Sequence, residues 1–151
     1  MTGPATAVAV PRRGLARVWF APAVLGMLLV ACSRASAPSA SDYRRVALEF
    51  TQSLAARDYQ RAYAMTAQDY RRRNSVDQLR AAFEAVVPTD WGAVGPIEVA
   101  QTMTSWPEKQ PSDVAWVYVS IGGSAYSEAA TVIVMSENGE PRVREVQFGR
   151  P

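Results

Sequence analysis

The folded part of the chain opens with apolar residues spaced three and four apart. They are Tyr43, Val46, Ala47, Phe50 and Leu54. This spacing places them on one face of a helix. It predicts a first helix from Asp42 to Ala56, with Ser41 as its N-cap and Asp42 favourably placed in the first turn.

Two further helices are predicted from their starting residues. Asp58 is a suitable N-cap for a short second helix, whose end we place around Asp69. Ser75 and Gln78 match a capping box at the start of a third helix, and Pro88 ends it. The run Arg71-Arg72-Arg73 between them is typical of a solvated face, although it would also suit an anionic partner.

After Pro88 the apolar period changes from near 3.6 residues to two, which predicts strands. Four segments fit: 97–104, 114–121, 129–135 and 142–148. Gly122-Gly123-Ser124 predicts a turn, Asn138-Gly139 predicts a tight hairpin, and the phase change at Val143 predicts a bulge. The expected fold is α+β: three N-terminal helices packed on an antiparallel sheet of about four strands, in a single domain over 42–151.

The N-terminus has the layout of a secretory signal. Arg12, Arg13 and Arg17 precede the uncharged run Val18–Ala31, which ends on small residues before Cys32. This run is shorter than the roughly 20 residues that a membrane-spanning helix needs. A retained signal anchor is the alternative reading. Residues 33–41 are mostly Ser, Ala and Pro, which predicts a flexible tether.

The four residues Leu29-Val30-Ala31-Cys32 resemble the lipobox of bacterial lipoproteins. The resemblance implies cleavage between Ala31 and Cys32, a signal peptide over 1–31, and a lipidated cysteine with tether over 32–41. Cys32 would carry the acyl chains, and two or more chains give stable anchoring. The alternative is that Cys32, the only cysteine, is a buried apolar residue.

Composition excludes several kinds of chemistry. The sequence has no histidine, so Ser-His-Asp and Cys-His catalytic groups cannot form, and one cysteine allows no disulfide within the chain. The predicted signal carries three of the 16 basic residues and none of the 14 acidic ones, so the mature chain would have a net charge of −1. We therefore expect no nucleic-acid partner, no metal and no cofactor.

The segment Phe50–Tyr63, together with Ser75–Phe83, resembles the nuclear-transport-factor-2-like superfamily, also called the cystatin-like cone. The resemblance covers about residues 42–148. It implies a curved sheet with the long helix across it, and either an enzyme that works inside the cone or a binding module. Another helix-on-sheet α+β topology is the alternative.

Candidate contact residues are aromatic. Trp91 and Trp106 lie among loop residues, and Tyr63 and Tyr118 lie on predicted elements; Trp116 fits a core-filling role. An isomerase-like enzyme would have to use Tyr63, Asp90, Tyr118 and Tyr126, but nothing in their spacing singles them out. We therefore expect no catalytic residue.

The expected protein is a non-catalytic lipoprotein anchored through acylated Cys32 on the outside of the cytoplasmic membrane. In a host with two membranes, the resemblance to lipoproteins that carry a residue other than Asp after the cysteine, here Ser33, implies the periplasmic face of the outer membrane. Its domain would bind an envelope protein or a small apolar ligand. An inhibitor or accessory protein that docks through its sheet surface is the alternative, as is a cone-fold enzyme.

Intact mass spectrometry of membrane-fraction protein tests the N-terminal prediction. We expect the wild-type species to begin at Cys32 with added acyl mass, and Cys32→Ser to lose both the acyl mass and membrane association. A mass that matches the uncut chain, or cleavage elsewhere without acylation, would contradict the lipoprotein interpretation.

Overall fold

The structure is a computed structural model that describes residues 39–123 and 126–150. The predicted signal, its cleavage site at Ala31 and Cys32, and most of the tether lie outside the described residues. In the described part, helices precede a four-stranded antiparallel sheet, which confirms the α+β class. The elements are α1 Ala40–Ala55, α2 Tyr59–Ala64, α3 Gln68–Arg73, α4 Val76–Glu84, the 3-10 turn Thr89–Trp91, β1 Val94–Met103, β2 Asp113–Gly123, β3 Ser127–Glu137 and β4 Glu140–Phe148.

Local capping chemistry explains where the helices start. The N-cap of α1 is Ser39 rather than the predicted Ser41, because the Asp42 carboxylate accepts the Ser39 backbone N–H at 2.8 Å. This hydrogen bond lowers the pKa of Asp42. Asp58 caps α2 as predicted, and the capping box of Ser75 and Gln78 is confirmed at α4.

The predicted second helix is two helices, α2 and α3, so the described part contains four α-helices instead of three. The interruption has a backbone cause. The Ala67 N–H donates to the Val143 carbonyl at 2.8 Å, and the Val143 N–H donates to the Met65 carbonyl at 3.1 Å. Residues 65–67 therefore pair with β4 in parallel orientation at Thr66 and cannot continue the helix.

The strands follow one another in the order β1-β2-β3-β4. Asn138 and Gly139 both have positive φ, at 54° and 83°, as the predicted hairpin requires. The bulge in β4 is also confirmed: Ile133 pairs with Glu145 and Val134 with Val143, which leaves Arg144 as the extra residue.

The chain reverses between β2 and β3 as the predicted turn Gly122-Gly123-Ser124 requires, but Gly122 and Gly123 still belong to β2, so the connection begins after Gly123; Ser124 lies outside the described residues. Gly122 pairs with Ser127 at the end of the β2–β3 ladder. A Cβ on Gly123 would lie 2.2 Å from the ring of Tyr126, so this position needs glycine for close packing rather than for a turn.

The core lies between the helices and one face of the sheet. Side chains of β2 alternate along the strand, and Ala115, Val117, Val119 and Ile121 face the helices and are fully buried. On the helix side, the core contains Phe50, Leu54 and Phe83, which are also fully buried. Phe83 meets Phe148 of β4 edge to face, with ring centroids 5.5 Å apart.

Trp116 lies on the opposite face of β2 from this core, so its predicted core-filling role is wrong. The run 114–121 is apolar on nearly every position, which hides the phase of the alternation in the sequence. The neighbours of Trp116, Ala115 and Val117, take the buried positions.

Arg57 connects the end of α1 to the end of α4. Its backbone is left-handed, with φ of 62°, which places the guanidinium within 3.0 Å of the Val87 carbonyl oxygen and 3.2 Å of that of Pro88. It also lies over the ring of Phe83 and donates to the Tyr59 hydroxyl, which in turn donates to Glu84. The guanidinium thus satisfies carbonyls that follow the last turn of α4.

We expect Arg57→Ala to destabilise the fold by about 2 kcal/mol, because both carbonyls lose a charged donor. Arg57→Gly should be less damaging by about 1 kcal/mol, since glycine adopts positive φ without strain. Urea unfolding followed by circular dichroism measures both. Arg61→Ala, at an exposed arginine on α2, is the matched control and should stay within about 0.5 kcal/mol. Equal stability of Arg57→Ala and Arg61→Ala would show that the Arg57 contacts contribute nothing.

Candidate functional site

The sheet face that points away from the helices carries the candidate site. Strand pairing places Trp116 of β2 beside Ile133 of β3, and Ile133 beside Glu145 of β4. Paired residues in an antiparallel ladder share a face. Tyr118, Thr131 and Gln147 form the next row across the same strands. We call this surface the helix-free face.

Part of the helix-free face is buried although none of the described helices packs on it. Ile133 is 7% exposed and Thr131 is 9% exposed, although both point away from the core. The β1–β2 loop carries Trp106, which lines the same groove as Trp116. Together these elements form an open groove of about 200 Å³, which we call the aromatic groove. Its lining residues are Trp106, Glu108, Gln110, Trp116, Thr131, Ile133, Arg144, Glu145 and Gln147.

The aromatic rings beside the groove have defined neighbours. The rings of Trp116 and Tyr118 are nearly parallel, at 11°, with centroids 6.0 Å apart. The Lys109 ammonium lies 5.5 Å from the ring centroid of Trp106, and it donates a hydrogen bond to the Thr104 carbonyl at 2.6 Å. Trp106 therefore already holds one cation from its own loop.

A buried ion pair supports one side of the groove. Arg144 Nε lies 2.5 Å from Asp113 Oδ1, and Nη2 lies 3.0 Å from Oδ2. The Asp113 side chain is fully buried and that of Arg144 is 11% exposed. The Gln110 N–H also donates to Asp113 Oδ2, at 2.8 Å, which ties the β1–β2 loop to the pair. The pair thus joins β2, β4 and the loop that carries Trp106.

The structure places two of the four predicted contact residues, Trp106 and Tyr118, on or beside the helix-free face. Trp91 lies elsewhere: it is 37% exposed in the 3-10 turn and packs on Tyr126, with ring centroids 4.4 Å apart. Tyr63 has a structural contact, since its hydroxyl lies 2.7 Å from the Asn74 carbonyl oxygen and orders the end of α3.

The residues considered for acid–base chemistry are distributed over different elements. Asp90 is exposed in the 3-10 turn, and the Tyr126 hydroxyl is buried without a hydrogen-bond partner among the described residues. Two other tyrosines have shifted acidities. Burial raises the pKa of Tyr59 and of Tyr70 above the ordinary value of a tyrosine.

The Arg71-Arg72-Arg73 run makes contacts within its own part of the chain. Arg71 donates to the Thr66 carbonyl, Arg72 pairs with the Asp69 carboxylate, and Arg73 donates to the Asp69 carbonyl at 3.2 Å. The three arginines therefore bind to residues of α3 and of the connection between α2 and α3. They are less available to an outside anion than three free arginines would be.

Over residues 39–123 and 126–150, no group of three or more histidine, cysteine or acidic residues is arranged to hold a metal ion. Within the same residues, no helix has both the length and the apolar character to cross a membrane. Comparison with known proteins gives no match to a protein family, to a curated protein or to a solved structure.

Sequence reasoning missed Trp116, Asp113 and Arg144 as parts of the site. The phase change at Val143 predicts the bulge that places Arg144, but nothing local connects Arg144 to Asp113, 31 residues earlier. The strict alternation of β2 would have assigned Trp116 to the helix-free face if one neighbouring position had been polar.

We expect Arg144→Met to destabilise the fold by about 3 kcal/mol, because it leaves the Asp113 carboxylate buried without its partner. Adding Asp113→Asn should recover part of this loss, because it removes the unpaired buried charge while an amide oxygen still accepts the Gln110 N–H. Urea unfolding of the single and double variants measures the difference.

The exposed pair of Arg80 and Asp77 on α4 provides the control. Arg80→Met should change stability by no more than about 0.5 kcal/mol. If Arg144→Met resembles Arg80→Met, or if the double variant is no more stable than Arg144→Met alone, the pair does not support the groove as described.

Proposed function

We propose that this chain is a lipid-anchored lipoprotein of the cell envelope, whose α+β domain binds a partner protein without catalysing a reaction. The observation that carries the binding role is the aromatic groove on the helix-free face. Acylation at Cys32 would hold the domain at the membrane surface outside the cytoplasmic membrane, or at the periplasmic face of the outer membrane in a host that has one.

The sequence supports the anchoring part. Positive charge, a short apolar run, small residues and a lone cysteine occur in the order that the lipoprotein pathway recognises, and a Ser-, Ala- and Pro-rich segment follows. Two or three acyl chains would make attachment stable, whereas one would be reversible.

Packing supports the use of the helix-free face. Between the helices and the sheet, Phe50, Leu54, Phe83, Val119 and Ile121 are fully buried and in contact within one cluster. A filled interior favours docking through the outer surface over binding inside a cone. The likeness to the nuclear-transport-factor-2-like superfamily is also part of this proposal. The domain would be a member of that superfamily whose cone is filled by its own side chains.

The arrangement on the helix-free face resembles the centre of a protein interface. Tryptophan, tyrosine and arginine are the residues that most often dominate binding energy. Here Trp106, Trp116 and Arg144 line one groove with polar residues, and Tyr118 stacks with Trp116. The groove is small, so we infer that a partner inserts a side chain into it and rests on the surrounding strands.

Photo-crosslinking in the native cells tests this function. A benzophenone amino acid at Gln147, an exposed position on the groove rim, keeps every aromatic residue in place. We expect one protein adduct of defined mass, which is lost or strongly reduced when Cys32→Ser releases the chain from the membrane.

The matched control places the same amino acid at Ala82, an exposed position on α4. Equal adducts from both positions would indicate unspecific contact. The absence of adducts from Gln147 and from a second rim position, Gln110, would contradict binding through the helix-free face.

A further inference from the structure

The size of the aromatic groove limits what it can hold. Its volume of about 200 Å³ is below the roughly 300 Å³ at which pockets for drug-sized ligands begin. A single side chain fits this space better than a whole small-molecule ligand. The nearly buried Ile133 and Thr131 of β3 line the groove together with the rings of Trp106 and Trp116 and with polar and charged side chains.

The charges at the groove do not balance. Arg144 is the one cation among the lining residues, and the buried Asp113 carboxylate already neutralises it through two contacts. Glu145 shares Arg144 at 2.9 Å but remains 40% exposed. Glu108 has no hydrogen bond or ion pair with any described residue. With Lys109 over Trp106 also counted, three acidic and two basic side chains leave a net charge of −1 at the groove, which disfavours an anionic occupant.

One of the aromatic rings that line the groove already has a cation over it. Lys109, the only lysine in the sequence, lies over Trp106 and is held there by the Thr104 carbonyl. Aromatic faces attract cations through the ring quadrupole. Trp116, which lines the same groove, has no such cation from within the described residues.

We propose that the aromatic groove binds an arginine side chain presented by a partner protein, with the guanidinium against Trp116 and paired to Glu145 or Glu108. A guanidinium is planar, stacks on aromatic faces and is weakly hydrated. It therefore loses less hydration free energy than an ammonium when it enters a half-buried groove. The inference rests on the proposed function, because it names the chemistry that the helix-free face recognises.

Fluorine NMR of the full chain, labelled with 5-fluorotryptophan and purified from the membrane fraction in detergent, tests the proposal. The probe is N-acetylarginine N-methylamide, and the control is the citrulline analogue, which has the same shape but no charge. We expect saturable shifts of the Trp106 and Trp116 resonances, with millimolar affinity, for the arginine probe alone. Single Trp→Phe variants assign the resonances.

Variants that remove one carboxylate at a time test which acidic side chain pairs with the guanidinium. Glu145→Gln and Glu108→Gln should each weaken binding about two- to fivefold, as expected for an exposed charge pair. Asp90→Asn is the matched control, because it removes an exposed carboxylate beside Trp91, outside the groove. It should leave the affinity unchanged. The Trp91 resonance reports that each variant is folded, and it should not move with the probe.

Equal shifts with citrulline, equal shifts at Trp91, or no saturable shift in the wild-type protein would overturn the arginine assignment. Photo-crosslinking from Gln147 distinguishes a failure of the arginine proposal from a failure of the proposed function. Adducts from Gln147 without arginine binding would leave the helix-free face as the docking surface but refute the proposed chemistry. The absence of both would refute the proposed function as well.

Discussion

The alternation of side chains along β2 is the constraint on which the rest of the structure depends. Every second residue, from Ala115 to Ile121, is fully buried against the helices, and the residues between them face the other way. β2 lies inside the sheet, between β1 and β3, so both of its edges are paired, whereas one face of an antiparallel sheet can remain open to solvent. The helices cover one face. On the other, Trp116 and Tyr118 cover their neighbours, so the surface that protects the sheet is also the surface available for binding.

Local chemistry in the sequence was sufficient to predict much of the fold. The caps at Asp58 and Ser75, the hairpin at Asn138-Gly139 and the bulge near Val143 depend on a few adjacent residues, and each is confirmed. Contacts between distant segments were not predictable in this way. The break between α2 and α3 arises from hydrogen bonds to Val143, and the Asp113–Arg144 pair joins two strands that are not adjacent in the sheet.

For the candidate site, too, local features were predictable from the sequence and contacts between distant segments were not. Trp106 was predicted as a contact residue because its neighbours in the sequence are typical of a loop, and it does line the groove. Trp91 shares that local setting but packs on Tyr126 at a different place, and Tyr63 is engaged with the Asn74 carbonyl. Exposure can be predicted from neighbours in the sequence, whereas the convergence of side chains on one place depends on strand register, which a bulge shifts by one residue.

Pairing of residues 65–67 with β4 has a consequence for how copies of this protein behave when they are crowded. An exposed sheet edge is a template for a strand from another molecule. At β4 both backbone groups of Val143 are already used by Met65 and Ala67, so a foreign strand cannot run along the full length of this edge. At the opposite edge, Pro96 offers no N–H and register shifts interrupt β1 on either side of Val99. The fold can therefore be packed densely on a surface with little risk of edge-to-edge aggregation.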